Sequence, residues 1–71
     1  MPVYLQLAKQ LKEGISQGQY DPGKPLPSLY TFNRVLGISR STVFRAYKYL
    51  NRNGDVLWIK GQGFFVRERH K

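Results

Sequence analysis

Four consecutive residues, Ser39, Arg40, Ser41 and Thr42, gather three hydroxyls and one guanidinium where a helical pattern begins. Hydroxyls, a guanidinium and the free N–H groups of a helix N-terminus all donate hydrogen bonds, so this helix end suits an anionic or acceptor-rich partner. At about 100° per residue, the helix that follows sets Ser41, Arg45, Lys48 and Arg52 opposite the apolar residues Val43, Ala46, Tyr47 and Leu50. Within that helix no Asp or Glu stands three or four residues from Arg45, Lys48 or Arg52 to pair with them. An ordinary solvated helix face is the plain alternative, and it usually mixes its signs.

A second set of donors lies in Lys60-Gly61-Gln62-Gly63, a turn whose glycines let the backbone approach another surface closely. Its composition is similar to a phosphate-binding loop. It leads into a β-prone run instead of a helix, however, and lacks the lysine and hydroxyl of a nucleotide loop, so nucleotide binding is set aside. His70 is the single histidine, with no second ligand type at metal-like spacing and no carboxylate pair for acid–base work. The chain is therefore expected not to be an enzyme and to need no cofactor or metal. With no cysteine, disulfides and thiolate metal sites are excluded and a reducing compartment is permitted.

These groups need a folded support. The chain has 71 residues, 41% of them hydrophobic and 14% aromatic, which supplies one small domain with a packed core and leaves little room for an enzyme cleft. Twelve Lys and Arg against four Asp and Glu give a net charge of +8, so a polyanionic partner is the first expectation. No apolar run approaches the roughly 18 residues of a membrane span, and no leader pattern is visible. A cytoplasmic protein without membrane contact is expected.

Tyr4, Leu7, Ala8, Leu11 and Ile15 recur at spacings of three and four, which predicts a first helix over Pro2–Gln17, with Pro2 in its first turn and Gly18 as its stop. Residues 19–27 hold three prolines and Asp21-Pro22-Gly23, and read as a connector with a short extended piece. Ser28 is expected to cap a second helix ending near Leu36, with Phe32, Val35 and Leu36 facing inward. Gly37 then closes it, Ile38 fills the corner, and Ser39 caps a third helix from Arg40 to about Arg52, before the Asn53-Gly54 stop. Val56–Ile59 and Phe64–Val66 are β-prone runs on either side of the glycine turn, a hairpin that Trp58 and Phe64 are expected to pack onto the helices. The fold class is α+β, a winged helix-turn-helix of three helices and a β-hairpin wing over residues 1–67. Residues 68–71 are expected to form a frayed charged tail.

From Tyr4-Leu5-Gln6-Leu7 through Pro22-Gly23 and Leu26-Pro27-Ser28 to Phe65-Val66, the chain resembles the DNA-binding domain of the GntR family of bacterial transcription regulators. The most specific stretches are Leu36-Gly37-Ile38-Ser39-Arg40-Ser41-Thr42-Val43, Ala46-Tyr47 with Leu50, Gly54, and Gly61-Gln62-Gly63. Ala46-Tyr47 is most similar to the YtrA and MocR branches. The resemblance implies that Arg40, Ser41 and Thr42 contact double-stranded DNA and that Gly61 to Gly63 form a wing tip near the minor groove. The sequence departs from the family at Leu29 and Tyr30, where an acidic residue and an arginine are usual, and at Phe44 and Trp58-Ile59, where basic residues are usual. A base preference unlike that of typical members is expected.

The expected contact set is Arg40, Ser41, Thr42, Arg45, Lys48 and Arg52, with Ser28 and Tyr30 beside the second helix and Lys60, Gly61, Gln62 and Gly63 in the turn. The resemblance implies a second domain that dimerises and binds an effector or, in the MocR branch, an aminotransferase-like domain. The resemblance thus implies a homodimer formed through a region absent here, and a small-molecule effector only if a C-terminal domain exists. This chain is expected to be the isolated reading head, either a piece of a longer regulator or a small protein that dimerises by other means. The rival reading is a protein docking module that uses the same basic face. RNA binding is a third, disfavoured because the aromatics form no clear stacking platform.

Overall fold

The computed structural model describes residues 1–68; Arg69, His70 and Lys71, with most of the expected tail, lie outside the described residues. Three helices, α1 (Val3–Ser16), α2 (Leu29–Leu36) and α3 (Arg40–Arg52), precede an antiparallel hairpin of β1 (Val56–Ile59) and β2 (Gly63–Val66). This is the winged helix-turn-helix order that the sequence predicts. Among the described residues no helix is long and apolar enough to cross a membrane.

The apolar stripe of α1 buries Leu7, Ala8 and Leu11 against α3. Pro2 stands just before the helix, not inside its first turn, and its carbonyl accepts from Leu5 and Gln6 N–H at 3.1 Å. The helix ends in a Schellman arrangement: Gln19 N–H donates to the Gly14 carbonyl and Gly18 N–H to the Ile15 carbonyl, with Gly18 at φ +82. Gly14 has a packing role that periodicity did not reveal. A Cβ there would lie 2.7 Å from a Tyr20 ring carbon, so the glycine lets Tyr20 lie against the helix.

The connector does contain an extended piece. Gly23 N–H donates to the Val66 carbonyl, Val66 N–H to the Lys24 carbonyl and Leu26 N–H to the Phe64 carbonyl, so the connector runs along the open edge of β2. That edge pairing inserts Leu26 into the core beside Phe64 and Val66.

Two inward-facing expectations for α2 are corrected. Phe32 packs against the core, but Val35 and Leu36 are 68% and 51% exposed. Among the described residues no helix covers the last turn of α2, and Leu36 and Ile38 edge a shallow cleft beside Val3, Gln6 and Leu7 of α1. Ser28 occupies the N-cap position in extended geometry, yet its side chain makes no cap hydrogen bond; its hydroxyl lies 3.2 Å from the Thr31 hydroxyl instead. Gly37 ends α2 at φ +68, and the Asn33 side-chain amide donates to the Ile38 carbonyl at 2.9 Å, locking the corner between α2 and α3.

The buried residues of α3, namely Val43, Ala46, Tyr47 and Leu50, are those the sequence assigns to its inner face. Ser39 caps this helix as expected, accepting from Thr42 N–H at 3.2 Å. At the other end, Gly54 N–H and Asp55 N–H close the helix onto the Asn51 and Leu50 carbonyls. Asp55, buried, has its carboxylate 3.8 Å from Lys12 Nζ of α1.

Trp58 departs from expectation too. It is 53% exposed, whereas its cross-strand partner Phe64 is buried, with ring centroids 4.8 Å apart. Phe64 occupies the place under α3, and Trp58 covers it from the solvent side of the wing.

Candidate nucleic-acid interface

The outer surface of α3 is held in place because its inner surface is fully buried in the core: Val43, Ala46 and Leu50 have no exposure at all. Tyr47 fixes the helix azimuth, donating its hydroxyl to the Pro27 carbonyl at 2.6 Å. Burial pushes that hydroxyl above its ordinary range, and nearby Tyr20 raises it further. Side chains opposite these residues have little freedom to rotate about the helix axis as a group.

From Pro22 to Gly54 the sequence contains no Asp or Glu, while Lys24, Arg34, Arg40, Arg45, Lys48 and Arg52 fall within it. Nothing in α2 or α3 therefore neutralises the cations they carry, and the field above this face is positive.

The structure divides the expected contact residues among three neighbouring places. At the N-terminus of α3, Arg40 and Ser41 are exposed beside Tyr30, and with Leu29, Asn33, Ser39 and Phe44 they line an open groove between α2 and α3. Thr42 is only half exposed, and its hydroxyl lies 2.7 Å from that of Ser39, so its polar atom is already engaged inside the protein. Ser41 shares the same hydroxyl cluster at a looser 3.3 Å.

Next to it, Ser28, Gln62 and Gly63 meet in a cavity of about 350 Å³ between the connector, α3 and the wing, lined also by Phe44, Trp58 and Tyr47. Phe44 borders both places and joins them. Its ring meets Phe64 edge-on at 5.9 Å, which ties the outer side of α3 to the wing. Periodicity places Phe44 beside the polar face, and only the hairpin's position reveals this use. Lys60 and Gly61 are exposed at the wing tip, where Gln62 N–H donates to the Ile59 carbonyl and Gly61 lies at φ +79. That positive φ is why the turn needs glycine.

The third place is the C-terminal half of α3. Arg45, Lys48 and Arg52 are all exposed and share a small cleft with Tyr4 and Tyr49. Arg45 is drawn toward α1, its Cζ lying 4.4 Å from the Tyr4 ring centroid, whereas Lys48 leans toward the wing side, 5.6 Å from the Phe44 ring. The three cations thus share a face but not a direction. Sequence periodicity gives azimuth and could not show that Tyr4, on another helix, offers Arg45 a ring.

Among the described residues no group of three or more His, Cys, Asp or Glu is placed to hold a metal ion. What the interface offers is guanidinium, ammonium, hydroxyl and amide donors on a convex helix beside a glycine-tipped loop. Such a surface can engage phosphates and the edges of bases.

Comparison with known proteins agrees with this geometry. The family of bacterial regulatory proteins named gntR matches residues 3–66. NagR, an HTH-type transcriptional repressor of Bacillus subtilis (strain 168), is 41% identical over 66 residues, which are 93% of this chain and 27% of NagR. YtrA from Sulfolobus acidocaldarius, described as a GntR-family transcription factor, superposes with a TM-score of 0.85 at 34% identity, over 100% of this chain and 60% of that one. AraR(DBD), solved in complex with operator ORE1, gives a TM-score of 0.84 at 29% identity, over 93% of this chain and 80% of that one. The chain spans 27% of the length of NagR and 54% of that of YtrA, an HTH-type transcriptional repressor of Bacillus subtilis (strain 168). The chain belongs to the gntR family of bacterial regulatory proteins.

Proposed function

We propose that this chain binds double-stranded DNA with sequence preference as the reading module of a transcription regulator. In this reading α3 enters the major groove and the wing turn meets the adjacent minor groove or backbone. The observation that carries it is the acid-free face of α3, locked from behind by Val43, Ala46, Tyr47 and Leu50 and continued through Phe44 into the wing. The complex of AraR(DBD) with an operator supports it, since the two folds superpose over nearly the whole of this chain.

The residues divide by chemistry. Arg40 and Ser41, exposed at the end that enters first, suit base edges; Arg45, Lys48, Arg52 and Lys60 suit phosphates. Ser28, Tyr30, Gln62 and Gly63 border the groove on either side of them, and Gly61 brings the wing backbone close. Thr42 acts chiefly through the Ser39 cap, because its hydroxyl is engaged there. In the full regulator, a homodimer formed through residues beyond this segment would present two reading heads to a two-fold site, with any effector bound by that further region.

Selection of bound sites from random duplexes tests the reading. Enrichment of a common motif is the expected outcome. Binding without enrichment removes the sequence preference. No binding at moderate salt by a folded chain removes DNA as the partner and favours protein docking through the same face.

A further inference from the structure

Arg40 stands at the reading end of α3, yet its side chain is held. Its Nη1 donates to the Tyr30 hydroxyl at 2.8 Å, and its Cζ lies 4.8 Å from the Tyr30 ring centroid. Tyr30 is 64% exposed and is not among the buried residues of the core. Burial in the core therefore does not call for an aromatic ring at this position. What the ring does touch is the guanidinium.

The geometry leaves Arg40 able to read. A guanidinium has five N–H donors, and a bond from Nη1 to the phenol leaves the Nε–Nη2 edge free. That edge is the fork that fits the O6 and N7 acceptors of a guanine. A flexible arginine must give up rotamer freedom on binding, whereas one already held against a ring has given up part of it beforehand. The holder itself is steady: Tyr30 lies in the first turn of α2, and the corner between α2 and α3 is locked by Gly37 and the Asn33 amide.

We infer that Tyr30 is a positioning residue for Arg40, orienting its guanidinium and so sharpening base selectivity at the position Arg40 contacts. The selectivity half rests on the proposed base contact of Arg40; the positioning half does not. Tyr30 here acts through Arg40, whatever contact its own hydroxyl proton makes.

Two measurements on the full chain test it, with Tyr30→Phe, Tyr30→Ala and Arg40→Ala as variants. Because Tyr30 is exposed, these variants keep the fold. In the free protein, NMR of the arginine side chains should show slow rotation of the Arg40 guanidinium in the parent, faster rotation in Tyr30→Phe and the fastest in Tyr30→Ala. With duplexes, the preference at the base pair sensitive to Arg40→Ala should fall about two- to fivefold in Tyr30→Ala, the size of an exposed cation–π contact. Adding Tyr30→Ala to Arg40→Ala should change that preference no further. Equally fast rotation in parent and Tyr30→Ala overturns the positioning role, whatever the DNA results. Slow rotation with unchanged preference in Tyr30→Ala, or additive losses in the double variant, overturns the role in selectivity. If Arg40→Ala leaves every preference intact, the base contact itself fails and the selectivity half falls with it, while rotation still decides positioning.

Discussion

The Tyr47 hydroxyl donates to the carbonyl oxygen of Pro27 at 2.6 Å, joining the middle of α3 to the end of the connector across twenty residues of sequence. The Tyr47 ring lies edge-on to Phe32 of α2 at 6.5 Å and to Phe64 of β2 at 5.4 Å. One side chain thus ties the candidate reading helix to the connector, to α2 and to β2.

Tyr47→Phe keeps the ring contacts and deletes the bond, leaving the Pro27 carbonyl without its donor. At neutral pH the loss should be about 1 kcal/mol by urea denaturation. The pH dependence distinguishes this bond further. Burial holds the Tyr47 hydroxyl above its ordinary value of 10.0, so its stabilising effect is complete below pH 10 and declines as pH rises toward the folded-state value. Parent stability should therefore fall more steeply than that of Tyr47→Phe above pH 10, and the gap between them should narrow. Parallel curves there would show that Tyr47 ionises alike in both states.

The two capping serines should behave differently. Ser39 accepts a bond from Thr42 N–H, and Ser39→Ala should cost about 1 kcal/mol. Ser28 makes no such bond, so Ser28→Ala should cost only about 0.3 kcal/mol, the size of an ordinary surface change. Thermal or urea unfolding of both variants measures the contrast directly.

Gly37 sits at φ +68, and a Cβ built there meets nothing within 4 Å. The cost of Gly37→Ala is therefore backbone strain alone, about 1 kcal/mol, and Gly37→Asn should cost less. Equal costs for the two would point to side-chain crowding instead.

Phe44→Ala removes the edge contact to Phe64 that joins α3 to the wing, worth about 1 kcal/mol. The core beneath stays filled, because Phe44 is 39% exposed. Amide exchange should quicken in β1 and β2 with little change in α1. Uniform quickening throughout the domain would show that Phe44 supports the whole fold and not the wing in particular.

Helical periodicity and punctuation were enough to read the architecture. Gly18, Gly37 and Gly54 end their helices where the pattern stops, each with positive φ, and the inner face of α3 is the predicted one. Contacts between elements were less legible. Val35 and Leu36 share the apolar spacing of Phe32, but spacing says nothing about whether another element covers the last turn of α2, and among the described residues none does. Gly14 lies inside the predicted first helix, and its purpose is set by Tyr20, on the far side of a turn. Trp58 and Phe64 share one face of the hairpin, and only the docking of that hairpin under α3 decides which is buried.

The interface shows the same division. The residue types and the azimuth of Arg45, Lys48 and Arg52 were legible in the chain, while the rings that hold Arg40 and Arg45, Tyr30 and Tyr4, come from other helices. A one-dimensional pattern records which face a cation occupies and omits what lies beside it.

The most direct test of the DNA-facing role of α3 is a duplex titration over a salt series, comparing the parent with a triple variant carrying Arg45→Ala, Lys48→Ala and Arg52→Ala. Every phosphate deprived of its cation should make the slope of log affinity against log salt shallower by about 0.9, or about 2.7 if all three side chains meet phosphates. A folded triple variant that matches the parent in affinity and slope at every salt concentration would contradict the claim that the outer face of α3 meets DNA.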